Sequence, residues 1–485
     1  MVLVLVAFLT AACAPQSNPV AKNSPTSSPT LLTWSDCQGG FQCTTVQAPL
    51  DYAHPDAGTI GIAISRKPAT YAGHRLGSVL VNPGGPGVSG IDWLRSEAGA
   101  MTNLNARFDL IGFDPRGVGK SDPVRCLDGP QEDAFQALDP VLDDPQEKQA
   151  GIQTDKTFAA GCTQRSAQIL PFVDTVSAAK DMDVIRAALG DQKLTYLGFS
   201  YGTFLGENYA HLFPTHVRAL ALDGVIDPTL SADDLLYAQL VGFEQNLQAF
   251  LADCRARKSA TTPCQYAQSG DPGTKLVALM QRLDSSPLQV GNRQLTRGLA
   301  MTGVLFTLYD QSFWPYLDKA LTMADRNSGA LLVLLADQYT GRNADGTYSN
   351  ETDSNAAVNC IDRSVPTDLA HYDALGTKYA SASPLFGPAF QYSNLLCAYW
   401  PVKATGTQGP ISAPGAPPIL VVGGTDDPAT PYAWAQAVNQ QLSGSVLLTR
   451  QGNGHTSYNS SSCAQQLIDA YLIDLSLPAA GTVCD

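Results

Sequence analysis

Gly198-Phe199-Ser200-Tyr201-Gly202 sets a serine between two glycines. The apolar run Leu194–Leu197 leads into it, and Thr203–Phe213 continues as a helix closed by Pro214. A strand-to-helix turn this sharp demands glycine on both sides, because a Cβ would collide with the turn, and its strain exposes the serine Oγ. Serine alone is a poor nucleophile and needs a base within hydrogen-bond reach. The chain has six histidines, and only His455, in Gly452-Asn453-Gly454-His455, follows a plausible acid turn. It stands just after the strand-like Val446-Leu447-Leu448. The acid belongs beyond the preceding strand, Ile419–Val422, where Asp426 and Asp427 compete. Its work would be to fix the imidazole tautomer and stabilise the imidazolium that forms.

Acyl transfer also needs backbone donors for the developing oxyanion. One is expected from Tyr201 N–H, the residue after the nucleophile. The other is expected from the loop Asn82-Pro83-Gly84-Gly85-Pro86-Gly87. Pro83 and Pro86 carry no N–H, so the donor is a glycine: Gly85 is expected, with Gly84 as the alternative.

These residues need a scaffold that brings loops together. Ser78–Val81, Phe108–Phe113, Leu194–Leu197, Val217–Leu222 and Ile419–Val422 are short apolar runs that each end in turn residues. They are unbroken rather than alternating, as strands covered on both faces should be. Val176, Ala179, Met182, Ile185 and Leu189 recur at helical spacing between two of them. The fold class is therefore α/β, with a mostly parallel central sheet and its ligand site beyond the carboxyl ends of the strands. From residue 227 to 414 helical runs such as Leu235–Leu251 and Leu276–Leu283 take over. This stretch is expected to form a helical cap inserted before the acid-bearing strand, between a first core part (34–226) and a C-terminal core part (415–485).

The 485 residues are 44% hydrophobic and 15% charged, enough for a large core. No apolar run reaches the ~18 residues of a membrane span, which excludes a polytopic membrane protein. Thirty Lys and Arg against 44 Asp and Glu leave a net charge of −14, which repels a nucleic-acid backbone. Residues 1–12, MVLVLVAFLTAA, read as a lipoprotein signal ending at Cys13, the expected lipid attachment point. Residues 13–33, rich in Pro, Ser, Thr and Asn, read as a flexible tether. The expectation is an exported protein, lipid-anchored to the outer face of the cell membrane. Ten further cysteines suit a disulfide framework paired between nearest neighbours. None lies in a CxxC pair, so a zinc site has no support, and no cofactor is expected.

Five segments together resemble one family: Asn82–Gly90, Asp114–Ser121, Gly198–Thr203, Leu222–Pro228 and Gly424–Pro431. It is the α/β-hydrolase group of actinobacterial tripeptidyl aminopeptidases, which includes mycobacterial envelope serine proteases and carboxylesterases and is related to proline iminopeptidases. The resemblance covers the chain from about Trp34 onward. It implies Ser200 as nucleophile, Asp427 (before Pro428) as acid and His455 as base. Where proline iminopeptidases begin the glycine loop with His, this chain has Asn82, as the tripeptidyl group does. An aminopeptidase must hold the substrate's α-ammonium with a carboxylate, for which Asp362 is the candidate. Glu207, seven residues after Ser200, reads instead as a solvated helix position, and the Asp114–Ser121 loop as structural. The expected function is cleavage of short peptides from the amino end of a peptide substrate. Small-ester or envelope-lipid hydrolysis is the alternative, and a non-catalytic binding lipoprotein the remote one.

Overall fold

The computed structural model describes residues 32–406 and 408–485. The expected signal segment, Cys13 and nearly all of the tether lie outside the described residues. Among the described residues twelve strands are formed: β1 (Ser35–Asp36), β2 (Gln42–Pro49), β3 (Thr59–Lys67), β4 (Gly77–Asn82), β5 (Phe108–Phe113), β6 (Leu194–Phe199), β7 (Val217–Asp223), β8 (Leu288–Val290), β9 (Arg293–Leu295), β10 (Leu420–Asp426), β11 (Val446–Asn453) and β12 (Val483–Cys484). Ten of them make one sheet in the order β1-β2-β3-β5-β4-β6-β7-β10-β11-β12. The first three strands and the β3–β5 pairing are antiparallel, and the pairings from β5 to β12 are parallel.

The unbroken apolar runs become strands buried along their whole length: every residue of β4, β5 and β6 is buried. Two hydrophobic clusters cover the sheet's two faces. One holds Leu80, Ile111, Tyr196 and Val421 with the helix Thr175–Ala188, and the other holds Val79, Leu110, Leu197 and Val422 with the helix Ser462–Asp474. Strands that bury both faces gain burial from alternate residues on each side, which is why the sequence pattern shows no alternation.

A third hydrophobic cluster belongs to the cap. It joins Phe243, Leu247 and Phe250 of the helix Ala232–Ala256 to Leu279, Leu299, Val304, Leu317 and Leu332 from the helices that follow. Segments from before residue 227 also pack there. Val141 is in the cap cluster, Arg297 pairs with Asp139 at 2.5 Å, and Arg342 pairs with Asp133 at 2.6 Å. The helices between β5 and β6 thus contribute to the cap layer as well. Five disulfides, Cys37–Cys43, Cys126–Cys162, Cys254–Cys264, Cys360–Cys397 and Cys463–Cys484, pair the ten cysteines with their nearest neighbours.

Parallel register aligns the carboxyl ends of the central strands. Asn82 of β4 stands beside Gly198 of β6, Phe199 beside Asp223 of β7, and Asp223 beside Val422 of β10. The loops that leave these ends therefore meet at one edge of the sheet, under the cap.

Candidate active site

Ser200 follows β6 directly and precedes the helix Tyr201–Leu212. Its backbone is at φ 55°, ψ −126°, a conformation non-glycine residues rarely adopt. The surroundings hold it there. A Cβ on Gly198 would lie 2.5 Å from the Gly202 carbonyl oxygen, and one on Gly202 would lie 2.6 Å from that of Asn82. Ser200 N–H donates to the Asp223 carbonyl at 3.0 Å. Strain stored at a turn that neighbouring strands over-determine marks a functional position.

The acid and base loops leave β10 and β11. His455 Nδ1 donates to Asp427 Oδ1 at 2.9 Å and lies 3.0 Å from Oδ2. Asp427 also accepts N–H groups of Ala429 (3.0 Å), Thr430 (2.8 Å) and Thr456 (3.1 Å). Burial pushes the Asp427 carboxyl up, but attraction to His455 and these hydrogen bonds outweigh it and hold the group below the usual carboxylate range. Asp426, its neighbour and rival, is exposed, and its side chain is bonded by Thr425. The turn after β7 joins nucleophile to base. Asp223 holds Ser200 N–H, and a Cβ on the next residue, Gly224, would lie 3.3 Å from His455 Cε1.

In the glycine loop, Gly84 N–H is taken by the Asn82 side chain at 3.0 Å. A Cβ on Gly84 would sit 2.6 Å from the Phe199 carbonyl and 2.8 Å from Tyr201 N, so Gly84 is the residue that lets this loop lie against the nucleophile. Gly85 N–H and Tyr201 N–H have no acceptor among the described residues. Both N–H groups are therefore unengaged beside Ser200, where an acyl-transfer oxyanion would need donors. The Asp114 loop is structural. Its carboxylate accepts Ser89 Oγ (2.6 Å), Ile91 N–H (3.2 Å) and Lys120 N–H (2.8 Å), fixing the helix that follows the glycine loop.

Several residues that the sequence did not single out hold this geometry. Arg450 of β11 donates to the carbonyls of Gly452 (3.1 Å), Asn453 (3.2 Å) and Gly454 (2.5 Å), gathering the loop that carries His455. Asp223 accepts Ser457 and Tyr458 N–H, both at 2.8 Å, clamping the chain just after His455. Thr430 Oγ1 lies 3.3 Å from His455 Nδ1. The cap reaches these loops directly. His455 N–H donates to the Tyr309 carbonyl at 2.6 Å, Asn246 donates to the Asp426 carbonyl at 2.9 Å, and Gln239 donates to that of Ala429 at 2.9 Å.

A cavity of about 420 Å³, within the range of small-molecule sites, adjoins the loops that carry these residues, although Ser200, Asp427 and His455 do not themselves line it. Three of its walls touch the residues described above: Asn355 donates to the Pro86 carbonyl at 2.9 Å, Gln239 holds the acid turn, and Tyr339 packs on Tyr309, itself edge-on to His455.

Two sequence expectations are corrected. Asp362 does not line this cavity. It is buried, with its carboxylate taken by Thr175 N–H at 2.9 Å and by Thr175 Oγ1, so it positions the helix Thr175–Ala188 instead of meeting a ligand. Glu207 is not solvated. It is fully buried, because the helix after Ser200 runs through the core and exposes little of its surface. Burial raises its carboxyl well above the usual range, the nearby Asp227 charge raises it further, and Arg363 opposes both.

A strained serine after a central strand, an Asp–His pair on the loops after β10 and β11, and free backbone donors beside the serine define a serine hydrolase of α/β-hydrolase fold. Comparison with known proteins narrows this. The family model for TAP-like proteins matches residues 383–484. Serine protease Hip1 of Mycobacterium tuberculosis is 36% identical, over 93% of this chain and 90% of its own. Carboxylesterase B of the same species is 38% identical, over 91% and 86%. Tripeptidyl aminopeptidase of Streptomyces coelicolor is 31% identical, over 93% and 86%. The chain belongs to this TAP-like family of α/β-hydrolases.

Proposed function

We propose that this protein is an exported aminopeptidase that releases short peptides, tripeptides foremost, from peptide amino termini through a Ser200–His455–Asp427 triad. One observation carries the choice of peptide: the cavity presents the amides of Gln136, Gln239, Asn355, Asn359 and Asn394 among apolar side chains such as Phe135, Phe158, Leu235 and Leu396. The NH2 groups of these amides are bonded within the protein, but the amide oxygens of Gln136, Gln239, Asn359 and Asn394 remain to accept peptide N–H groups, which a long acyl chain does not offer.

The triad residues suit acyl transfer to Ser200. Ser200 Oγ attacks the scissile carbonyl carbon as His455 takes its proton, and the oxyanion binds Gly85 and Tyr201 N–H. The His455 imidazolium, steadied by Asp427, protonates the leaving amine, and an ester forms on Ser200. Water deprotonated by His455 then hydrolyses that ester and frees the acyl peptide.

The disulfides support an oxidising compartment. With the sequence of residues 1–13 they favour export and a lipid anchor on Cys13, which would hold the enzyme at the outer face of the cell membrane. A relative named carboxylesterase B favours a second reading, hydrolysis of envelope esters. Digestion of a peptide library, read by mass spectrometry, separates the two. Fragments of fixed short length released from amino ends support the aminopeptidase. Absence of cleavage alongside rapid turnover of long acyl esters contradicts it.

A further inference from the structure

The cavity that adjoins the catalytic loops contains one carboxylate and one guanidinium among its lining residues, Glu351 and Arg363. Both stand on the helix Glu351–Asp362 or its immediate end, which forms one wall through Glu351, Thr352, Asn355, Ala356, Asn359 and Arg363. The spacing is that of one helix face, and twelve residues carry it about 18 Å along the cavity.

The two charges differ in their surroundings. Arg363 lies over the Phe204 ring at 5.0 Å, and the buried carboxyls of Asp362 and Glu207 stand close enough to support its charge. Glu351 has no cation beside it and no hydrogen-bond partner for its carboxylate among the described residues; burial alone acts on it and raises its carboxyl to about 7. As the first residue of its helix it meets the favourable end of the helix dipole, but its carboxylate makes no bond to the helix N–H groups, so capping leaves it unengaged. Yet it is close to the chemistry. Its charge is felt by Tyr309 and Tyr339, and Tyr309 packs edge-on to His455. Its own backbone touches the glycine loop: a Cβ on Gly87 would lie 2.7 Å from the Glu351 carbonyl oxygen.

A half-buried carboxylate without a partner, lining a cavity whose walls bond the glycine loop and the acid turn, is arranged to receive a cation. We propose that Glu351 binds the α-ammonium of the substrate and so determines that cleavage is counted from the amino end. This rests on the aminopeptidase reading and supplies the carboxylate that Asp362, tied to Thr175, does not. Pairing with the ammonium removes the cost of burying the Glu351 charge, and an N-acylated substrate would leave that cost unmet.

The test measures kcat/KM for a tripeptidyl p-nitroanilide with a free amine and for its N-acetyl form. It uses the wild type, Glu351→Gln and Glu351→Ala, each normalised by active-site titration with a fluorophosphonate. The wild type should prefer the free amine. Both variants should lose about 30-fold or more of that preference, chiefly through KM, because a buried ion pair is lost. Wild-type preference that persists in the variants overturns the Glu351 assignment and leaves the aminopeptidase reading standing. A wild type indifferent to acetylation overturns the reading and the assignment with it. Alanine only removes atoms facing the cavity, so it serves where the glutamine variant fails to titrate.

Discussion

At the scale of single residues, the site depends on which polar groups are already satisfied. Asp427 is saturated by three N–H groups and His455, whereas Asp426 faces solvent, and this separates two adjacent aspartates of equal chemistry. Asp427→Asn keeps the shape but favours the wrong imidazole tautomer, and kcat should fall by about 10⁴-fold with KM little changed. A steady-state assay against titrated active sites checks this; a loss under tenfold contradicts the role of Asp427. Ser200, His455, Tyr201 and the Gly84-Gly85 loop could be singled out in the sequence as candidates because such roles need particular residue types next to strand ends. Glu351 was not legible, since a glutamate at a helix start has an ordinary explanation. What marks it is the lack of partners, which only packing reveals. Asp362 misled for the converse reason: its partner Thr175 is 187 residues away.

At the scale of elements, β7 and β11 act through the turns that follow them. Asp223 ends β7 and is clamped to the chain beyond His455 by two N–H groups, with its other oxygen unpartnered. Burial pushes its carboxyl up to about 6; the Asp427 charge adds to this, while the two N–H groups and Arg450 oppose it. A carboxyl whose pKa is raised on folding contributes stability below its unfolded value of about 4, and that contribution is lost as pH rises through the folded value. Asp223→Asn keeps one acceptor for both N–H groups and removes this dependence. Its stability relative to wild type should therefore improve from pH 4 to pH 8, by on the order of 2–3 kcal/mol. Denaturant melts at the two pH values test this, and a constant difference contradicts it. Arg450 gathers three carbonyls of the loop that carries His455, so Arg450→Met should lower kcat by tenfold or more, roughly the effect of a small misplacement of the base. Unchanged kcat would show that the loop holds its shape without the guanidinium. The strand ends and glycine turns were readable as a parallel sheet because fully buried strands leave unbroken apolar runs. The contribution of residues before 227 to the cap was not readable, because helices of core and cap share one amphipathic pattern, and their neighbours are set by distant pairs such as Arg297–Asp139.

At the scale of the whole molecule, core and cap are coupled at the catalytic loops. Cap groups bond the backbones of Asp426, Ala429 and His455, so cap and triad should lose order together. The disulfide Cys463–Cys484 ties β12 to the helix after the His455 loop and closes 21 residues. Replacing both cysteines by serine should cost about 3 kcal/mol of stability, measured by denaturant unfolding; no change would show that this end of the sheet is held by packing alone. The account as a whole stands on acyl transfer to one hydroxyl. Intact-mass spectrometry after treatment with a fluorophosphonate reads it most directly. The wild type should gain a single phosphonyl group, mapped to Ser200, and Ser200→Ala should gain none and hydrolyse no tripeptidyl substrate. Full labelling or undiminished hydrolysis in Ser200→Ala would contradict the account.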